Sequence, residues 1–94
     1  MVLCTLSSDF EDKVAKRLES NNICYMIQHL PNNKMNVFFG KNECIVVAQK
    51  ICLNRPLNKL TPEEDFILGT LLGYSVCEQC TRYCKRIERE ICLT

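Results

Sequence analysis

The sequence predicts a single α/β domain of the α+β kind, with elements in the order β-α-β-β-α-α-α. Three observations support this fold class. A length of 94 residues is enough for one hydrophobic core and too short for two. Two β-branched and aromatic runs, residues 23–30 and 35–39, flank the turn sequence PNNK at residues 31–34, as in a β-hairpin. Elsewhere, apolar residues recur at helical spacing.

The first two elements are a strand and a one-faced surface helix. Residues 1–7 (MVLCTLS) are apolar enough for a strand, and we expect it to lie at an edge of the sheet. Ser8 and Glu11 have the spacing of a capping box at the start of a helix. The apolar residues of this helix share one face and are Phe10, Val14, Ala15 and Leu18. The pair Asn21-Asn22 ends it.

The order of strands follows from the chirality of their connections. A right-handed crossover from the first strand to the second, followed by a hairpin to the third, places the third strand in the middle of the sheet. The result resembles a ferredoxin-like fold that lacks its last strand and has two extra C-terminal helices. We expect helices to cover one face of such a sheet and to leave the other for partners.

Three helices are predicted after the hairpin. Asn42 is a candidate N-cap for a helix that ends near residue 52, and residues 54–59 form a linker. Thr61 and Glu64 form a second capping box, with Pro62 at the first helical position, so a helix is predicted over residues 62–72. Gly73 supplies a left-handed stop. A third capping-box spacing, Ser75 to Glu78, opens a last helix that reaches about residue 90.

The charge balance argues against nucleic-acid or membrane binding by the whole molecule. Twelve Lys and Arg face eleven Asp and Glu, for a formal net charge of +1. A local basic excess near the C-terminus consists of Arg82, Lys85, Arg86 and Arg89. We interpret these cations as complements of the dipole of the last helix, because no aromatic residues alternate with them as in a nucleic-acid site.

The sequence shows neither a signal peptide nor a membrane-spanning stretch, which predicts a cytoplasmic protein. The apolar start of the chain is six residues long and has no basic segment before it or cleavage site after it. No stretch reaches the ~20 apolar residues that span a bilayer. The eight cysteines are therefore expected to be reduced thiols.

Four of these cysteines are clustered in the last predicted helix. Helical spacing places all four on one broad face: Cys77, Cys80, Cys84 and Cys92. Three interpretations remain open: small apolar core residues, ligands of zinc or an iron–sulfur cluster, and a thiol redox pair. The core interpretation is favoured, because metal ligands normally converge from loops or from two elements. No cofactor is then expected.

The helix over residues 62–72 is apolar around more than half of its circumference, which favours burial from two sides. Gly69 costs a helix about 1 kcal/mol relative to Ala, so we expect a close approach of another helix there. That helix could belong to a second copy of the chain. The candidate homodimer interface comprises Phe66, Leu68, Gly69, Leu72 and Tyr74. Pairing through the edge strand is the alternative.

Catalytic chemistry finds little support in the sequence. His29 is the sole histidine and lies in a predicted strand without a paired nucleophile. The triplet Glu63, Glu64 and Asp65 lies in a first helical turn, where carboxylates are favoured by the helix dipole. Whether the chain is an enzyme stays uncertain, and a non-enzyme is favoured.

Several stretches resemble a bacterial domain-of-unknown-function family of small cytosolic proteins. They are NVFFG at 36–40, LTPEEDFILG at 60–69, LGY at 72–74 and QCxRY at 79–83. The resemblance covers roughly residues 5–86. It implies a three-stranded α/β homodimer without assigned catalytic residues. Some members are encoded beside flavodoxins, which implies a flavodoxin-type partner.

Taken together, these observations predict a small homodimeric binding or accessory module without catalysis. The alternative is a metal or iron–sulfur redox accessory protein that uses Cys77, Cys80, Cys84 and Cys92.

Overall fold

The computed structural model describes residues 1–53 and 55–93, with side chains over 1–53 and 55–89. The predicted element order and fold class are confirmed. The strands are β1 (Val2–Ser7), β2 (Cys24–Leu30) and β3 (Lys34–Gly40). The helices are α1 (Glu11–Ser20), α2 (Asn42–Cys52), α3 (Pro62–Leu71) and α4 (Val76–Leu93). Single 3-10 turns at Ser8–Phe10 and Leu57–Lys59 precede α1 and α3.

The chain divides into two compact units, residues 1–50 and the residues from 51 onward. The first contains the sheet, α1 and most of α2. The second contains the end of α2, the Leu57–Lys59 turn, α3 and α4. None of the helices in the described part of the chain combines the length and the hydrophobicity needed to cross a bilayer.

In the first unit, β3 lies between the other two strands and runs antiparallel to both. Val37 pairs with Cys4 on one side and with Ile27 on the other. This is the predicted order, with β1 at an edge. The crossover through α1 makes β1 and β2 parallel to each other, and the hairpin from β2 places β3 between them.

The central strand is buried on both of its faces. Met35 and Val37 point to one side and are at most 1% exposed, while Asn36 and Phe38 point to the other side and are at most 5% exposed. The expectation that one sheet face stays open for partners is therefore wrong at β3. A row of hydrogen bonds satisfies the buried Asn36, which accepts from Thr5 at 2.7 Å and donates to Gln28 at 3.1 Å.

Helix α1 starts differently from the prediction. The chain makes a 3-10 turn first, in which Ser7 Oγ accepts from the Asp9 N–H at 3.3 Å, and no capping box forms at Ser8. Phe10 is the N-cap of α1 and makes no side-chain bond there. The predicted stop is confirmed, because Asn22 adopts a left-handed φ of 57°. The hydrogen bond from Ile23 N–H to Leu18 O then closes the helix end.

Two carboxylates of α1 hold it to β2. Glu19 accepts from the Tyr25 hydroxyl at 2.6 Å, and this bond raises the pKa of Tyr25. Glu11 lies 2.6 Å from Nε2 of His29. The side chain of this histidine, the sole one in the chain, is 62% exposed, and its Nε2 atom already has Glu11 as a partner.

Helix α2 begins at Asn42, which is its first residue rather than the predicted N-cap. The buried positions of α2 recur at helical spacing and are Ile45, Ala48, Ile51 and Cys52.

Both ends of α3 follow the prediction. Thr61 Oγ1 accepts from the Glu64 N–H at 3.1 Å, and Glu64 accepts in return from the Thr61 N–H at 2.9 Å. Gly73 has a φ of 81°. It donates to Thr70 O, while Tyr74 donates to Gly69 O, so the last carbonyl groups of α3 are satisfied.

Candidate functional site

Helices α3 and α4 form a hairpin in which α4 packs closely against Gly69 of α3. A Cβ atom at this position would lie 2.1 Å from Oε1 of Gln79, which is itself only 5% exposed. Only glycine leaves room for the Gln79 amide. The predicted close approach of a helix is confirmed, but the helix is α4 of the same chain and not part of a second copy.

An ion pair between Asp65 of α3 and Arg82 of α4 joins the two helices of the hairpin. Arg82 donates to both oxygens of Asp65, through Nε at 2.6 Å and Nη2 at 3.1 Å. Arg86 Nη1 lies 3.7 Å from the same carboxylate, and Nη2 of Arg86 donates to Leu60 O at 2.7 Å. Two of the four cations of the basic excess therefore have structural partners in their own unit.

Aromatic contacts add to the same interface. The rings of Phe66 and Tyr83 meet edge to face with centroids 6.3 Å apart. The Tyr83 hydroxyl donates to Glu63 Oε1 at 3.0 Å. Phe66 thus packs within the hairpin.

The acidic triplet at the start of α3 has more specific roles than the helix dipole alone. Glu63 accepts from Tyr83, Asp65 from Arg82, and Glu64 from both Thr61 and Arg55. Sequence reasoning missed these partners, which lie up to 20 positions away. The hydrogen bond from Arg55, followed by that from the Thr61 N–H, lowers the pKa of Glu64 to about 2.

A groove of about 730 Å³ runs beside α4 and is closed on its other side by the 3-10 turn at Leu57–Lys59. We call it the basic groove. Its lining comprises Leu57, Asn58, Cys77, Glu78, Thr81, Arg82, Lys85, Arg86 and Arg89. Four cationic side chains and one carboxylate therefore face the same space.

The dipole interpretation of these cations is wrong. Helix α4 continues to Leu93, and its last turn, residues 90–93, contains no basic residue. The helix dipole acts within about one turn of the end, so it does not explain cations at residues 82–89. The sequence prediction had ended the helix near residue 90, which placed Arg89 in the last turn.

Lys85 and Arg89 differ from the other two cations of the groove. Both side chains are exposed. Arg82 and Arg86 bond to Asp65 and Leu60, whereas Lys85 and Arg89 form no hydrogen bond or ion pair with any side chain that the structure describes. Their positive charges are available to a ligand.

The α4 thiols whose side chains the structure describes are not core residues. Cys77, Cys80 and Cys84 are all exposed, and Cys92 lies outside the residues whose side chains are described. The core interpretation is therefore wrong for these three. Over the described side chains, no three His, Cys, Asp or Glu residues form a group that could hold a metal ion. In contrast, Cys52 is the buried thiol among those described in this unit, and burial raises its pKa.

Three side chains form an exposed row on one side of α4. Val76, Cys80 and Cys84 are spaced by four residues and so lie above one another on the helix surface. Val76 is 60% exposed, and the two thiols are also exposed. We call this row the thiol stripe.

The candidate dimer residues fall into two groups. Leu68 is 5% exposed and Gly69 is also buried, so neither is available to a second copy. Phe66 and Leu72 are half-buried, whereas Tyr74 is 55% exposed. The apolar circumference of α3 did not show which of these residues the chain itself covers.

Comparison with known proteins adds one finding. No curated protein matches this chain significantly. The family model described as "Protein of unknown function (DUF2023)" matches residues 1–86, which include the sheet, α1, α2, α3 and the part of α4 that lines the basic groove up to Arg86. The chain belongs to this family.

Proposed function

We propose that the chain is a cytosolic, homodimeric binding protein, an accessory module without catalysis of its own. A second copy docks on the thiol stripe of α4. The observation that carries this proposal is the exposure of Val76, Cys80 and Cys84 in one row. An exposed apolar row on a helix is typical of a surface that pairs with another helix.

The chemistry of the stripe suits close helix packing. Thiols behave as small hydrophobic side chains, so they let two helix backbones approach while still excluding water. A two-fold axis would bring the same row from each copy together, because such interfaces are self-complementary.

Light scattering on purified protein in the presence of a reductant tests this proposal. We expect a mass of twice the 10.9 kDa monomer at micromolar concentration. The reductant excludes dimers that form by oxidation of exposed thiols. A mass of 10.9 kDa at all concentrations up to 100 micromolar would reject the homodimer. It would mean that the free energy of dimerisation is weaker than about −5.5 kcal/mol.

A metal or iron–sulfur redox accessory role is the second candidate. One observation favours it: the exposed thiols Cys77, Cys80 and Cys84 leave their sulfur atoms accessible to a metal ion. Cys92, whose side chain is not described, completes the predicted ligand set. The flavodoxin-type partner implied by the family resemblance belongs to this candidate.

Metal analysis after anaerobic purification separates the two candidates. Stoichiometric zinc, or a visible thiolate-to-iron absorption band, would support the redox role. Protein that stays metal-free after incubation with zinc or ferrous iron and sulfide would reject it.

A further inference from the structure

We propose that the basic groove binds an acidic peptide segment of a partner protein, which lies along α4 with carboxylates against Lys85 and Arg89. This goes beyond dimerisation and does not depend on it. The groove-lining cations at 82, 85, 86 and 89 and the thiol stripe at 76, 80 and 84 occupy different sides of the same helix.

The dimensions of the groove fit a short extended peptide. Its volume is about 730 Å³, and its lining on α4 extends from Cys77 to Arg89. Twelve steps of a helix span about 18 Å, which is the length of about five extended residues. Leu57 and the methylene stems of the cationic side chains supply apolar surface for the peptide backbone and its neutral side chains.

The spacing of the free cations fits carboxylates on alternate peptide residues. Lys85 and Arg89 are separated by four helical residues, or about 6 Å along the axis. Side chains on one side of an extended strand repeat every ~7 Å. Two acidic residues at alternate positions therefore meet both cations at once.

Other ligands fit this groove less well. The four cations are spread over about 10 Å of helix and do not converge on one point, as a single phosphate would require. Among the described residues of the lining none is aromatic, so bases have no side chain on which to stack. Glu78 lies toward the start of α4, and it disfavours an acidic group there. The acidic end of the peptide is thereby directed to Lys85 and Arg89.

Fluorescence anisotropy with two labelled six-residue peptides tests the proposal. One has glutamate at alternate positions, and the other has glutamine at the same positions. We expect the native chain to bind the glutamate peptide at low ionic strength and to bind it more weakly as salt is added. The glutamine peptide should bind at least about tenfold more weakly, as expected for the loss of two or more exposed ion pairs.

Charge reversal in the groove supplies the decisive variant. Lys85→Glu with Arg89→Glu should reduce the affinity for the glutamate peptide at least about tenfold. The control is Lys13→Glu with Arg17→Glu on α1, which changes the same residue types at the same spacing and the same net charge outside the groove lining. It should leave binding unchanged. Circular dichroism checks that both variants fold, and the neutral pair Lys85→Gln with Arg89→Gln replaces the reversal if that variant does not.

Three outcomes would overturn the proposal. The groove variant and the native chain could bind the glutamate peptide equally, or the α1 control could lose as much affinity as the groove variant. Inorganic phosphate or single-stranded DNA could displace the peptide from the native chain at a lower concentration than the unlabelled peptide does. The last result would assign the groove to phosphate chemistry.

Discussion

Helices α1 and α4 both have a polar and an apolar side, but they differ in how those sides are occupied. On α1, Glu11 and Glu19 bond to side chains of β2, while Lys13 and Arg17 have no partner among the described side chains and do not line the basic groove. On α4, Lys85 and Arg89 have no partner among the described side chains, and the thiol stripe is exposed. Both helices therefore carry cations without side-chain partners in the described part of the chain, but those of α4 line the basic groove. The groove and the exposed thiol stripe are the reason that we place both proposed binding surfaces on α4.

The largest expected difference concerns packing: α4 packs closely against Gly69 of α3, whereas no residue of α1 is buried. Gly69→Val should lower the free energy of unfolding by about 2 kcal/mol, because the new side chain would occupy the space of the Gln79 amide. The matched change on α1 is Ala15→Val. None of the ten residues of α1 is buried, so this change should cost less than the change at Gly69. Denaturant unfolding measures both.

A second substitution tests the reason for the effect at Gly69. Adding Gln79→Ala to Gly69→Val removes the side chain that blocks the new group. The double variant should recover part of the lost stability. Equal stability losses for Gly69→Val and Ala15→Val would mean that α3 and α4 do not approach each other closely at Gly69.

The next difference lies where the helices begin. Thr61→Ala should cost about 1 kcal/mol, because it removes half of the capping box of α3. Ser7→Ala should cost less, since Ser7 accepts a single 3.3 Å bond in a 3-10 turn, and Phe10 at the N-cap of α1 makes no side-chain bond. Urea midpoints of the two variants should differ in this order. The reverse order would show that the start of α1 depends on its capping side chain more than the start of α3 does.

The smallest expected effect concerns pH. The pKa of Glu64 is about 2 in the folded chain and near 4.5 in the unfolded chain, so its ionised form stabilises the fold above pH 4.5. That contribution declines as the pH falls toward 2. Unfolding midpoints of the native chain and Glu64→Gln should therefore differ most above pH 4.5 and converge near pH 2. A difference that does not change with pH would contradict the role of Arg55 and Thr61.

The parts of the fold that depend on local chemistry could be predicted from the sequence. Thr61 and Glu64 form their capping box from atoms three residues apart, and Gly73 and Asn22 adopt left-handed backbone at helix ends. The strand order followed from connection rules. Ser8 shows the limit of such rules, because its capping-box spacing competes with a 3-10 turn that begins at Ser7.

The parts that depend on distant contacts could not be predicted. Helical spacing placed Cys77, Cys80 and Cys84 on one side of α4 without showing whether anything covers that side. Gly69 indicated a close helix but not which one. The dipole interpretation was wrong because α4 continues three residues past the predicted end, which leaves even Arg89 outside its last turn.

Two neighbouring positions on α4 test the central claim, that this helix binds a second copy through one side and leaves the other side free. Cys80 belongs to the thiol stripe, whereas Thr81 lines the basic groove about 100° around the helix. Light scattering in reductant should give the dimer mass for the native chain and Thr81→Arg, and the 10.9 kDa monomer for Cys80→Arg. A dimer that survives Cys80→Arg, or one that is lost equally in both variants, would contradict the account.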